Sequence, residues 1–205
     1  MFTTEDVKKL RDLTGISIMQ CRKALEEADG NFDKATLILR KKGADVAAKK
    51  ADRALGAGVV ASYIHSTGTI GSMVELFCET DFVSGNDEFK KLAYDIAMHV
   101  AASNPEFLKA EDITEEARNL AKEVFAKEVE GLPVATNAAQ AGKPEAMKAK
   151  ILEGKMSSYF SERVLLDQPF IKNPEVTIRG LVDGAVHKFG EKVEIGKFVR
   201  YSIKR

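Results

Sequence analysis

At Gly56 the hydrophobic spacing changes from helical to strand-like, and this switch limits the possible folds more than any other feature of the chain. Val59-Val60-Ala61-Ser62-Tyr63-Ile64-His65 and Ile70 to Phe77 are two strand-like runs, separated by Ser66-Thr67-Gly68-Thr69. That spacing reads as a hairpin, with Gly68 and Gly71 in the ordinary use of glycine beside a turn. A further strand, Val193 to Ile203, lies near the other end of the sequence. Two strands with a third recruited from the C-terminus, plus several helices, predict an α+β fold. Its sheet is antiparallel and three-stranded, with helices on one face.

Before Gly56 the pattern is helical. The first 55 residues read as three short helices and a basic connector. Val7, Leu10 and Leu13 form the first apolar face, which Thr14-Gly15 ends. Ser17 can cap the second helix, with Ile18, Cys21, Ala24, Leu25 and Ala28 inward and Asp29-Gly30 closing it. Asn31 can cap the third, which buries Phe32, Ala35, Ile38 and Leu39 before Gly43. Helices this short are not stable alone, so they must share one small core. The expected organisation is therefore a module over 1–55 and an α+β core domain over 56–205. Lys41, Lys42, Lys49 and Lys50 in and just before the connector suit either a solvated helix or an acidic partner surface.

After the hairpin, a helix over about 84–103 has Phe89, Leu92, Ala93, Ile96, Ala97 and Val100 as its inward stripe, and Asn104-Pro105 stops it. A charged helix over about 114–130 carries Ala117, Leu120, Ala121, Val124, Phe125 and Val129 along one side. Gly131-Leu132-Pro133 breaks it, and Gly142-Lys143-Pro144 opens another helix with Met147, Ile151, Leu152, Met156, Tyr159 and Phe160 inward. This antiparallel hairpin, about 114–161, is either a projecting interaction arm or a pair packed on the sheet. A short helix over about 177–188 precedes the last strand.

Thr80-Asp81-Phe82-Val83 falls in the bend between a strand and a helix. Phe82 is outside the i, i+3, i+4 stripe of the helix that follows. A large aromatic beside a carboxylate and a Ser-Gly pair suits insertion into a partner. Folding back on its own helix is the alternative, and spacing alone leaves both open.

Composition removes several classes. Apolar residues make up 44% and charged residues 30% of 205, which fits neither a disordered nor a membrane-embedded chain. Thirty-one basic residues balance thirty-one acidic ones, without the basic excess of a dedicated nucleic-acid binder. No run approaches a bilayer span, and Met1-Phe2-Thr3-Thr4-Glu5-Asp6 lacks signal-peptide character, so a cytoplasmic protein is expected. Cys21 and Cys78 sit in apolar patterns and read as small buried hydrophobes. With His65, His99 and His187 they form no metal-ligand spacing, and neither a phosphate loop nor a nucleophile motif is present.

Five blocks, in order along nearly the whole chain, resemble the bacterial elongation factor Ts family. They are Leu10-Arg11-Asp12-Leu13-Thr14-Gly15 with Cys21-Arg22-Lys23-Ala24-Leu25; Gly43-Ala44 with Ala47-Ala48-Lys49-Lys50-Ala51; Cys78-Glu79-Thr80-Asp81-Phe82-Val83; Ile96-Ala97-Met98-His99-Val100-Ala101-Ala102 with Pro105-Glu106-Phe107; and Leu165 to Phe170, ending Gln168-Pro169-Phe170. The resemblance implies a guanine-nucleotide exchange factor for elongation factor Tu, with no covalent chemistry and no cofactor. It would engage both the GDP-bound and the nucleotide-free partner, and its N-terminal module would have a ubiquitin-associated-like fold. By the same resemblance, Thr80, Asp81, Phe82 and Val83 enter the GTPase near its Mg²⁺. Phe82 is the wedge, and Asp81 helps displace the groups that hold the metal. Arg11, Ile18, Met19 and Arg22 match the surface that docks on the G domain, with Ile-Met where the family usually has Met-Met. His65 matches a hairpin histidine that faces another domain of the partner. The chain has one copy of a core that longer members duplicate, so it resembles the short forms, which associate as symmetric homodimers. Phe198-Val199-Arg200-Tyr201 contains no cysteine, so a dimer here has no disulfide at that strand.

Overall fold

A computed structural model describes residues 2–130 and 144–203. The chain divides into two compact units, Met1–Asn104 with Pro169–Arg205, and Pro105–Gln168.

The first unit opens with helices α1 (Thr4–Thr14), α2 (Ile18–Glu27) and α3 (Phe32–Lys49). Each start has a local cause. The Thr3 hydroxyl accepts the Asp6 N–H, and the Asp6 carboxylate accepts the Thr3 N–H at 2.8 Å in return. Ser17 and Asn31 cap α2 and α3 as their positions predict. Val7, Leu10, Ile16, Cys21, Ala24, Leu25, Ala28, Ala35 and Leu39 form one shared core.

Two residues expected in that core are outside it: Leu13 is 59% exposed and Ile18 is 56% exposed. Ile16, in the loop between α1 and α2, takes the inward position instead. A three-helix core this small has room for only a narrow stripe per helix. Leu13 and Leu37 line an open cleft of about 670 Å³ bounded by α1, α3 and the helix Ile178–Phe189.

Gly43 does not end α3, which runs on through the connector to Lys49. Its reason is close approach: a Cβ there would lie 3.3 Å from the carbonyl oxygen of Asp183. That oxygen belongs to α8 (Ile178–Phe189), which crosses α3 at this point. Glycine in a helix interior costs about 1 kcal/mol relative to alanine, and here it permits the crossing.

The strands are β1 (Ala57–Ile64), β2 (Ile70–Cys78), β3 (Pro169–Phe170), β4 (Asn173–Thr177) and β5 (Val193–Ser202). The main sheet is antiparallel with order β1-β2-β5, as the sequence pattern predicts. The β3–β4 ribbon is an addition that alternation does not reveal, because Pro169 and Pro174 interrupt runs already very short. Helix α4 (Asp81–Ser84) is a single turn after β2, and α5 (Asp87–Ser103) packs on β1 and β2. Phe89, Ala93, Ile96, Ala97 and Val100 are fully buried against the sheet, and Leu92 is half-buried. Ser72, buried in β2, donates its hydroxyl to the Ala97 carbonyl, so its polar atom has a partner.

The other face of the sheet is different. Register places Ile64, Gly71 and Tyr201 in one cross-strand row and Ser62, Met73 and Val199 in the next. Val60, Ile64, Met73, Val199, Tyr201 and Ile203 are all exposed. The Phe77 ring lies across Gly58 and Gly196, where Cβ atoms would collide with it.

In the second unit, α6 (Glu115–Glu130) and α7 (Pro144–Ser161) pair antiparallel. The Phe125 and Tyr159 ring centroids are 5.3 Å apart, and Lys155 Nζ is 2.6 Å from a Glu128 carboxylate oxygen. Ala121, Ile113, Phe160 and Val164 are the buried centre of this unit. Leu120 and Val124 are 66% and 49% exposed, contrary to the broad stripe expected. One neighbouring helix covers the narrow Ala117-Ala121-Phe125-Val129 line and leaves the adjacent line open. The expected break at Gly131-Leu132-Pro133 and the start at Gly142-Lys143 lie outside the described residues.

Candidate functional site

Thr80 occupies the N-cap position of α4 in extended backbone, but its hydroxyl does not cap the helix. It donates instead to Glu191 Oε1 at 2.6 Å. Val83 is buried at 4% exposure and holds the turn to the core. Phe82, about 100° round the helical turn from Val83, points out. Phe82 is 85% exposed, the highest value of any large apolar side chain among the described residues. Asp81 beside it is also exposed. The alternative in which Phe82 folds back on its helix is therefore not adopted. Below this turn, Cys78 Sγ contacts the Thr80 carbonyl at 3.2 Å, and burial pushes its thiol pKa up.

The base of the turn is a network of carboxylates and backbone amides. Glu191 Oε2 accepts the N–H of Glu79 at 3.2 Å and of Thr80 at 3.0 Å. Glu79 in turn accepts the N–H of Lys192 and an Arg53 guanidinium N–H at 3.1 Å. These bonds, the Lys192 amide first, hold the Glu79 carboxyl below its ordinary pKa. Lys50 Nζ donates to the Gly190 carbonyl at 2.6 Å. The connector is thus tied to the chain's own loops through Lys50 and Arg53. Spacing did not suggest this, because the partners are distant in sequence.

Arg11, Ile18, Met19 and Arg22 are all exposed, Met19 at 72%. Ile18, Met19 and Arg22 fall on one face of α2, where Arg22 also pairs with Glu26 at 3.0 Å. His65 is exposed at the hairpin turn, with the Tyr63 hydroxyl 3.2 Å from its Nδ1. His99 is buried in α5 and takes the Ile171 N–H at Nδ1, a structural use. His187 packs against Gln20 at 2.8 Å, with its pKa lowered first by burial and then by Lys42. Among the described residues no group of His, Cys, Asp and Glu is arranged to hold a metal ion. No described helix is long and apolar enough to cross a membrane.

The α+β fold thus presents a bare phenylalanine and a carboxylate on an anchored turn, and a second exposed patch, apolar and basic, on α2. Sequence comparisons carry this further. A model of the family described as Elongation factor TS matches residues 19–205. Elongation factor Ts of Thermodesulfovibrio yellowstonii is 46% identical over 201 residues, covering 98% of this chain and 96% of that protein. Elongation factor Ts of Thermosipho melanesiensis is 41% identical over 203 residues, covering 99% of each. That of Carboxydothermus hydrogenoformans is 44% identical over 203 residues, 99% of this chain and 89% of its own length. The chain belongs to the elongation factor Ts family. Membership implies nucleotide exchange on elongation factor Tu during translation elongation, a role without covalent chemistry.

Proposed function

We propose that this protein releases GDP from elongation factor Tu, in the cytoplasm, by inserting Phe82 and Asp81 beside the nucleotide's Mg²⁺ site. The observation that carries the reading is the 85% exposure of Phe82 on a turn pinned by buried Val83 and by Glu191. An exchange factor binds the nucleotide-free partner more tightly than the loaded one. By linkage it weakens nucleotide binding by the same factor. Mg²⁺ demands near-octahedral geometry, so a shift of about an ångström in a metal-organising element of the GTPase is enough to disrupt it. Burying the Phe82 ring in the partner contributes roughly 1.5–3 kcal/mol toward the lost contacts. Thr80 and Val83 position the insertion, while Arg11, Ile18, Met19, Arg22 and His65 dock on other surfaces of elongation factor Tu.

In this reading residues 1–55 form the docking module, of ubiquitin-associated-like fold. Residues 56–205 form the core and dimerisation domain. Stopped-flow release of fluorescent GDP from elongation factor Tu, with and without the chain, tests the function directly. Binding without faster release would make the protein an adapter instead.

The same chain acts as a homodimer. Ile64, Met73, Val199 and Tyr201 are exposed in two adjacent cross-strand rows, with Val60 on the same face, a grouping of apolar side chains of the kind that marks an interaction site. A second copy covering it would form a self-complementary sheet-on-sheet interface. Light scattering is expected to give twice the chain mass for the wild type and a monomer for Ile64→Glu combined with Val199→Glu. A wild-type monomer at working concentration, with full exchange activity, would defeat the dimer.

A further inference from the structure

We infer that Glu191, in the loop between α8 and β5, is the positioning residue for the Phe82 turn. Glu191 would act through hydrogen bonds to that turn without touching the partner. The inference rests on the exchange role proposed for Phe82.

One carboxylate takes three donors from two consecutive residues: the Glu79 N–H at 3.2 Å, the Thr80 N–H at 3.0 Å and the Thr80 hydroxyl at 2.6 Å. These donors sit where β2 ends and α4 begins, so they have no ladder or helix partner of their own. Thr80 gives up its usual capping bond to make this contact. The arrangement is reciprocal, since the Glu79 carboxylate takes the N–H of Lys192, next to Glu191. Gly190, in the left-handed region at φ 70°, reverses the chain after α8 and aims Glu191 at the turn. Lys50 Nζ on the Gly190 carbonyl and Arg53 on Glu79 brace the same loops from the end of α3.

A hydrogen-bonded carboxylate fixes the direction in which α4 leaves the sheet, and therefore where Phe82 points. A wedge that must meet a preformed cleft loses rate when its direction is averaged over several orientations. Glu191 thus bears on the release step more than on the encounter, for which α2 and the hairpin supply separate surfaces.

The test measures GDP release from elongation factor Tu as a function of factor concentration for Glu191→Ala, Glu191→Gln, Phe82→Ala and the Phe82→Ala/Glu191→Ala pair. Glu191→Ala is expected to lower the maximal release rate about tenfold while the half-saturating concentration moves less than threefold. Glu191→Gln, whose carbonyl still accepts N–H groups, should return to within threefold of wild type. The pair should be no slower than Phe82→Ala alone, because a missing wedge gains nothing from being aimed. A folded Glu191→Ala that releases GDP at the wild-type rate, or a Glu191→Gln equally impaired, overturns the inference. Phe82→Ala at the wild-type rate would instead reject the wedge itself, so the two failures are distinguishable. Amide hydrogen exchange on the unsubstituted protein gives a second measurement, independent of any variant's folding. The Thr80 N–H should be protected well beyond open-chain exchange, and open-chain exchange there overturns the inference.

Discussion

Phe82→Ala is expected to leave the fold intact and to slow catalysed GDP release by roughly ten- to a hundredfold, at about 1.4 kcal/mol per decade. The first half follows from exposure: a side chain 85% exposed buries little within its own chain. Its truncation should change folding stability by no more than about 0.5–1 kcal/mol. Phe89, on the next helix, supplies the contrast. It is fully buried and meets Phe189 edge-on at 5.9 Å. Phe89→Ala should cost about 3–5 kcal/mol and lower the melting temperature markedly. The second half follows from differential binding, since energy gained only in the nucleotide-displaced complex converts directly into release rate. Asp81→Ala should act in the same direction, more mildly. The two should not add if both act on one metal site. Paired thermal melts and stopped-flow traces decide the matter. A Phe82→Ala protein that unfolds early, or that exchanges nucleotide at the wild-type rate, rules out the wedge.

The division between Phe82 and Phe89 also shows where the sequence is informative. The α5 stripe is legible because sheet-facing spacing sustained over a 17-residue helix is hard to mistake, and the hairpin because Gly68 sits between two strand-like runs. Caps at Ser17 and Asn31 are local, so they too are read directly. What stayed illegible depends on tertiary neighbours. Gly43 looks like a helix stop until α8 is seen against it. Leu13, Ile18, Leu120 and Val124 look inward because spacing does not report how little core each helix has to share. The direction of Phe82 is open in the sequence for the same reason. Val83 claims the core position, and Glu191, 111 residues from Thr80, holds the turn that makes the choice. No local pattern announces a glutamate whose partners are backbone amides.

Replacing Ile18, Met19 and Arg22 together by alanine is expected to weaken binding to elongation factor Tu by about a hundredfold. The maximal release rate at saturating factor should fall by less than threefold. All three side chains are exposed, so the melting temperature should hold. Met and Arg are enriched at protein interfaces, where the few anchoring side chains cost about 2 kcal/mol or more each on truncation, not additively. Arg22 contributes less than its charge suggests, because it is already paired with Glu26 in solvent. Deleting residues 1–53 would be the blunter experiment. It removes the docking face, but it also uncovers the side of α8 that receives Gly43 and takes Lys50 and Arg53 from the base of the Phe82 turn. A loss after deletion would therefore mix docking with positioning, whereas the surface variant separates them. Its expected signature, weakened half-saturation with a nearly intact maximal rate, is the reverse of that for Phe82→Ala. Calorimetric affinity within threefold of wild type for the triple variant would remove this face of α2 from the partner interface.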